Sequence, residues 1–152
     1  MIRSLTIAER DLAREVFGAE LDAGRVRILS APWPFKRAFV PGRWFWRDWI
    51  VWPARNRVMD FAGAPLSQQA VFIHELVHVW QAQQGVNLLW AKIDAGDSHE
   101  SYAYPLGDDC DWCALNIEQQ AMAVEHAFRL GRGGTAPASA AFYRSILPFR
   151  RD

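Results

Sequence analysis

The stretch His74-Glu75-Leu76-Val77-His78 constrains this chain more than any other. It reads His-Glu-x-x-His, and on a helix positions i and i+4 stand one above the other on a single face. His74 and His78 can then offer two imidazoles to one metal ion. Glu75 lies to the side, where a carboxylate can take a proton from a water in an open coordination position. The flanking residues read as helix. Ser67 suits an N-cap, Leu66 and Val71 have the spacing of a hydrophobic staple, and Gly85 is a natural stop. Ala70, Ile73, Val77 and Trp80 form an apolar stripe beside the histidine face.

A zinc site with catalytic capacity has three protein ligands and a water. The metzincin extension would require Gly at 81 and His at 84; the chain has Gln81 and Gln84, so that class is excluded. A carboxylate on a later helix packed antiparallel to the first is the next source. Asn116 caps such a helix, Ile117 to Leu130, with Gln119 at the capping-box position and Gly131 at the stop. Glu118 sits in its first turn, and the small Ala121 one turn further lets two helices approach closely. Glu125, on the same face, competes for the ligand position or orients a histidine by accepting its other N–H. His126 points to a neighbouring face and reads as a satisfied surface histidine. The irregular loop between the two helices carries Tyr104, Tyr102 and His99, of which the tyrosines are the better candidates to stabilise a developing oxyanion.

His-Glu-Leu-Val-His followed by Asn116-Ile-Glu-Gln-Gln-Ala121 resembles the compact gluzincin metallopeptidases. The resemblance implies a zincin-like fold with Zn2+ held by His74, His78 and Glu118, and Glu75 as catalytic base. The larger gluzincins place an acidic residue four positions after the glutamate ligand; here that position is Met122. Leu5-Thr6-x-x-Glu9, Val16-Phe17-Gly18 and Val26-Arg27-Ile28, with Phe72-Ile73 and Val79-Trp80-Gln81 around the motif, are similar to short bacterial proteins of this class related to the Vgr and Rhs secretion-associated proteins. That likeness implies a possible secretion-system partner.

The remaining chain predicts an α+β fold, with a small sheet against the motif helix. Thr6 to Glu9 is a capping box that starts a helix over about residues 7–18. Arg25 to Leu29 and Asp48 to Trp52 read as strands, Ala38-Phe-Val and Asn56 to Phe61 as short extended pieces, and Pro41-Gly42 as a turn. Residues 86–93 are apolar without a clear period. The 152 residues suit one domain, 1–131, followed by a linker and a tail, 132–152, that docks back on it. The strand around Trp49 to Trp52 is the expected edge for holding an extended peptide.

Seventeen basic and seventeen acidic residues balance, which points away from bulk attraction to nucleic acid or to a membrane. The N-terminus lacks the apolar run of a signal peptide, so the default location is the cytoplasm, with export by a signal-independent route open. Cys110 and Cys113 lack a second Cys or His pair and read as ordinary loop thiols. Of eight tryptophans, five fall between positions 33 and 52, read as core and hairpin packing. The expected activity is hydrolysis of a peptide or protein substrate by a zinc-bound water that Glu75 activates, with Tyr104 at the oxyanion and Glu125 and Tyr102 in support. The alternatives are a non-catalytic metal-binding module of a secretion system and a cell-wall amide hydrolase.

Overall fold

The computed structural model describes residues 1–149; the last three residues of the expected docking tail, 150–152, lie outside them. The architecture is α+β, with a four-stranded mixed sheet and, among the described residues, five α-helices. Strand β1 (Ile2–Ser4) leads into helix α1 (Ile7–Phe17). The Thr6 capping box forms as the sequence indicates. Thr6 Oγ1 accepts from the Glu9 amide at 3.0 Å, and the Thr6 amide donates to Glu9 Oε2 at 2.8 Å. Gly18, at φ +58, ends the helix in a conformation that other residues adopt at a cost.

Glu9 does more than cap. Its side chain is fully buried and takes two hydrogen bonds from Arg3, at 2.7 and 2.8 Å, and one from the Phe61 amide at 2.9 Å. One carboxylate thus ties β1 and α1 to the turn that precedes the motif helix.

Strands β2 (Val26–Ala31), β3 (Phe39–Trp44) and β4 (Arg47–Pro53) complete a sheet of order β1-β2-β4-β3. The β2/β4 pair is parallel and the other two pairs are antiparallel. This placement corrects two expectations. The strand through Trp49 and Trp52 is interior, between β2 and β3, so it is not a sheet edge; the edge strands are β1 and β3. Pro41-Gly42 is no turn: both residues lie within β3, where the register shifts between Phe39 and Gly42, and a bulge explains the glycine. The hairpin turns instead at Phe45 and Trp46, with φ of +50 and +63.

The motif helix α2 (Leu66–Gln83) starts two residues earlier than a Ser67 cap implies. Pro65, not Ser67, occupies the N-cap, its fixed φ suiting the entry, and Val71 is too exposed to act as a staple. Residues 56–61 are not a strand; short 3-10 turns occupy Ala54–Asn56 and Phe61–Gly63. The ambiguous 86–93 stretch forms α3 (Leu88–Ala95), capped by Asn87. Helix α4 (Ile117–Gly131) carries the expected Asn116–Gln119 capping box, and α5 (Ala140–Ile146) buries Tyr143.

The core sits between sheet and helices. Val26, Ile28 and Ile50 of the sheet share one buried cluster with Ile73, Leu76 and Val77 of α2 and Ala121 and Val124 of α4, all at most 3% exposed. Phe61 stacks on Phe72 with ring centroids 4.5 Å apart, fixing the entry to α2. Fully buried Ala121 lets α4 run close against α2, which brings Glu118 opposite the two histidines.

Candidate metal centre

His74 and His78 stand one turn apart on α2 with ring centroids 5.0 Å apart. Glu118, in the first turn of α4, places Oε2 3.3 Å from Nε2 of each histidine. These three buried residues form a group that could hold a metal ion, their ligand atoms lying within 4.8 Å of one another.

The partners of the other ring nitrogens show how the two histidines are oriented in this group. His74 Nδ1 lies 3.0 Å from Glu125 Oε2, and Glu125 Oε1 accepts from Arg129 at 2.8 and 3.0 Å. His78 Nδ1 lies 2.8 Å from Gln81 Oε1, whose amide nitrogen donates to the Ile117 carbonyl and to Gln120 Oε1. A carboxylate and an oriented amide oxygen both require a proton on Nδ1. That assignment turns both Nε2 lone pairs toward Glu118. Three acceptors converging on one point repel unless a cation or a proton sits among them, and the N2O donor set suits zinc.

Electrostatics tell the same story for the ion-free chain. Burial opposes charge on His74, but hydrogen bonds to Glu118 and Glu125 outweigh it and raise its pKa to about 9. Burial would raise Glu118 too, yet both histidines hold it well below the usual carboxylate range. Glu75 is raised, by burial above all, against the pull of His78 and His74. Its Oε2 is buried without a hydrogen-bond partner, as is Glu118 Oε1.

A cleft of about 710 Å³ opens over this group. Ala38 and Phe39 at the start of edge strand β3 form one wall, with Trp52 and Pro53 behind them; Lys92 of α3 and Tyr102 line it as well. His74, Glu75, His78, Glu118 and Glu125 are therefore brought together. Tyr104 is not brought to the cleft. Its hydroxyl is engaged 2.7 Å from His126 Nδ1 and 2.8 Å from the Tyr143 hydroxyl, in the contact between α4 and α5. Tyr102 is the cleft tyrosine; its hydroxyl donates to Asp97 at 3.1 Å, and burial, then Glu118, push its pKa up to about 12. His99 is exposed.

Two neighbours escaped the sequence reading. Gln81 excludes the metzincins and belongs to the resemblance around the motif, but nothing there marks it as a partner of His78, although its i+3 spacing is a usable signal. Lys92 places Nζ 3.7 Å from Glu118 Oε1; nothing in an apolar stretch without a period marks it. Cys110 and Cys113 are free thiols outside the site.

No protein-family model matches the chain. It is similar to the type VI secretion system spike protein VgrG2b of Pseudomonas aeruginosa, at 33% identity over 141 residues. That match covers 83% of this chain but only 13% of the spike protein's length. Among solved structures it is similar to the effector domain of Pseudomonas aeruginosa VgrG2b, with a TM-score of 0.71 and 33% identity, covering 86% of this chain and 75% of that one.

Proposed function

The chain belongs to the family of the VgrG2b effector domain, and on that premise we propose that it is a secretion-system effector module that hydrolyses peptide bonds with a divalent ion, zinc by its donor set. The observation that carries the reading is the convergence of His74 Nε2, His78 Nε2 and Glu118 Oε2 beside a buried carboxylate, Glu75, with an unpartnered oxygen. A purely structural site tends to be closed by four protein ligands and has no use for such a base. The same reading makes the fold a minimal zincin, and a partner in the type VI apparatus is what its relationship supports. Among the described residues no helix is long and apolar enough to cross a membrane; signal-independent delivery by that apparatus fits the relationship.

A bound zinc would supply Lewis acidity to a carbonyl and make a water acidic enough to lose a proton near neutral pH. The chain's residues do the rest. Glu75 accepts that proton and returns it to the leaving amine, a task its raised pKa suits. Glu125 and Gln81 hold the protons on the two Nδ1 atoms and so keep the rings aimed. Tyr102 takes over from Tyr104 as the hydroxyl able to face a developing oxyanion. The open side of β3 gives an extended peptide a strand to pair with. Of the tryptophans, Trp52 is the one in the cleft wall, which leaves a sugar-stacking surface without support.

The test is a cleavage assay on an unfolded protein, comparing wild type with Glu75→Gln. Cleavage by wild type alone supports the reading, and equal rates for the two would overturn it. A pH dependence also follows. Ion binding needs both Nε2 lone pairs, so the proton that ion-free His74 holds up to about 9 must leave. Affinity therefore rises with pH toward that value and falls below it, by up to about tenfold per unit. A zinc competition titration between about pH 6 and 8 checks this, and a flat profile would contradict it.

A further inference from the structure

The β3–β4 hairpin ends in three consecutive exposed aromatics: Trp44, Phe45 and Trp46 are 64, 88 and 83% accessible. Trp44 pairs with Arg47, so the turn has two residues, Phe45 and Trp46, both at positive φ as a type I′ turn requires. Asn-Gly is the favoured pair there, and large aromatics in the left-handed region are a local strain. A chain that keeps strained, exposed aromatics at a protruding tip breaks a rule of foldability at one place, which is where function is to be sought.

The charge around the tip is one-sided. Between Phe39 and Met59 the one acidic residue is Asp48, which is 1% exposed and already paired with Arg43 and Arg25. Arg27 is opposite Trp49 in the parallel ladder, and Trp44 is opposite Arg47 across the hairpin. Arg27 is held below its usual range by partial burial, then by Arg47 and Arg10 beside it. Among the described residues these three arginines form no ion pair. The balanced net charge of the chain conceals this cluster.

We propose that the Trp44–Trp46 hairpin tip, with Arg47 and Arg27 behind it, is a docking point for the surface of an anionic lipid bilayer. Tryptophan favours the headgroup region, where an apolar ring and a polar N–H are both satisfied, and arginines add attraction to anionic lipid. A protein partner is less suited to the shape. A standard interface needs roughly 800 Å² from each side, and a tip of three aromatic residues offers far less, whereas a bilayer engages a few rings at a time. At about 3.3 Å per residue, the tip lies roughly 16 Å along β3 from Phe39 in the cleft wall, so docking leaves the cleft open. This inference does not depend on the proposed hydrolysis.

The test is cosedimentation of the whole chain with phosphatidylglycerol-rich and with phosphatidylcholine vesicles. Two variants accompany wild type: Phe45→Asn/Trp46→Gly, which places the favoured pair in the turn, and Arg47→Gln. Wild type is expected to partition at least tenfold more onto the anionic vesicles, with a blue shift of tryptophan emission. The double variant is expected to lose that binding while its Tm holds or rises. Arg47→Gln is expected to weaken binding to anionic vesicles about fivefold and leave the neutral ones unchanged. Wild-type binding that is absent, equal on both vesicles, or undiminished in both variants overturns the proposal.

Discussion

Glu75→Gln is expected to keep its metal and lose peptide hydrolysis by about 10²–10⁴-fold, the range that a positioned proton acceptor contributes. The substitution keeps shape and volume and removes basicity. Neither histidine nor Glu118 depends on the altered group: Glu75 Oε2 has no hydrogen-bond partner, and the ring protons are held by Glu125 and Gln81. Burial without a partner is also costly for a carboxylate, so the variant is expected to be at least as stable as wild type. Steady-state rates on a peptide substrate, with zinc content measured on the same samples, separate the outcomes. Equal loss of metal and activity would mean that Glu75 holds the site together rather than acting in it.

Glu9→Ala is expected to cost about 3–5 kcal/mol of folding stability, the range for removing one partner of a buried ion pair. The side chain has no exposed surface and receives four hydrogen bonds: two from Arg3, one from the Phe61 amide and one from the amide of its own N-cap, Thr6. Its loss leaves Arg3, 13% exposed, without its carboxylate and strands the Phe61 N–H. At roughly 2–4 °C per kcal/mol for a domain of this size, Tm should fall by about 6–20 °C in differential scanning calorimetry. Because Phe61 stacks on Phe72 of the histidine helix, two residues before His74, the damage should reach the candidate metal group. A cost below about 1 kcal/mol would show that the network contributes no more than an ordinary helix cap.

The parts of the fold that were legible in the sequence are those written in local chemistry. Capping boxes at Thr6–Glu9 and Asn116–Gln119 mark two helix starts because the side chains that satisfy the first amides are near in sequence. The i, i+4 histidines follow from helix period alone, and Ala121 beside Glu118 hinted at two helices in close contact. Tertiary pairing was not legible. Which strand lies at a sheet edge depends on crossover topology, so β4 with the stronger strand composition is interior, and β1 and β3 are the edges. Pro41-Gly42 carries a turn signature yet sits at a bulge, while Phe45-Trp46 carries none and forms the turn, because backbone closure at 44–47 overrides residue preference. Tyr104 was the expected oxyanion group and Tyr102 its support, but the course of their loop is set by tertiary contacts: α5 engages Tyr104 through Tyr143, and Tyr102 is the tyrosine that lines the cleft. Glu125 shows how far a helix face can be read: the sequence placed it near the histidines with two roles open, and the fold sets it on His74 Nδ1 rather than among the converging ligand atoms.

Metal content by elemental mass spectrometry tests this account most directly, on untagged wild type and Glu118→Ala after zinc loading and desalting. About one zinc per chain is expected in wild type, since three protein ligands with an open position make one catalytic-type site. Clear loss is expected in Glu118→Ala, where two histidines alone remain. Full zinc retention in that variant, or no zinc in wild type, would contradict the assignment of His74, His78 and Glu118 as the group that holds the ion.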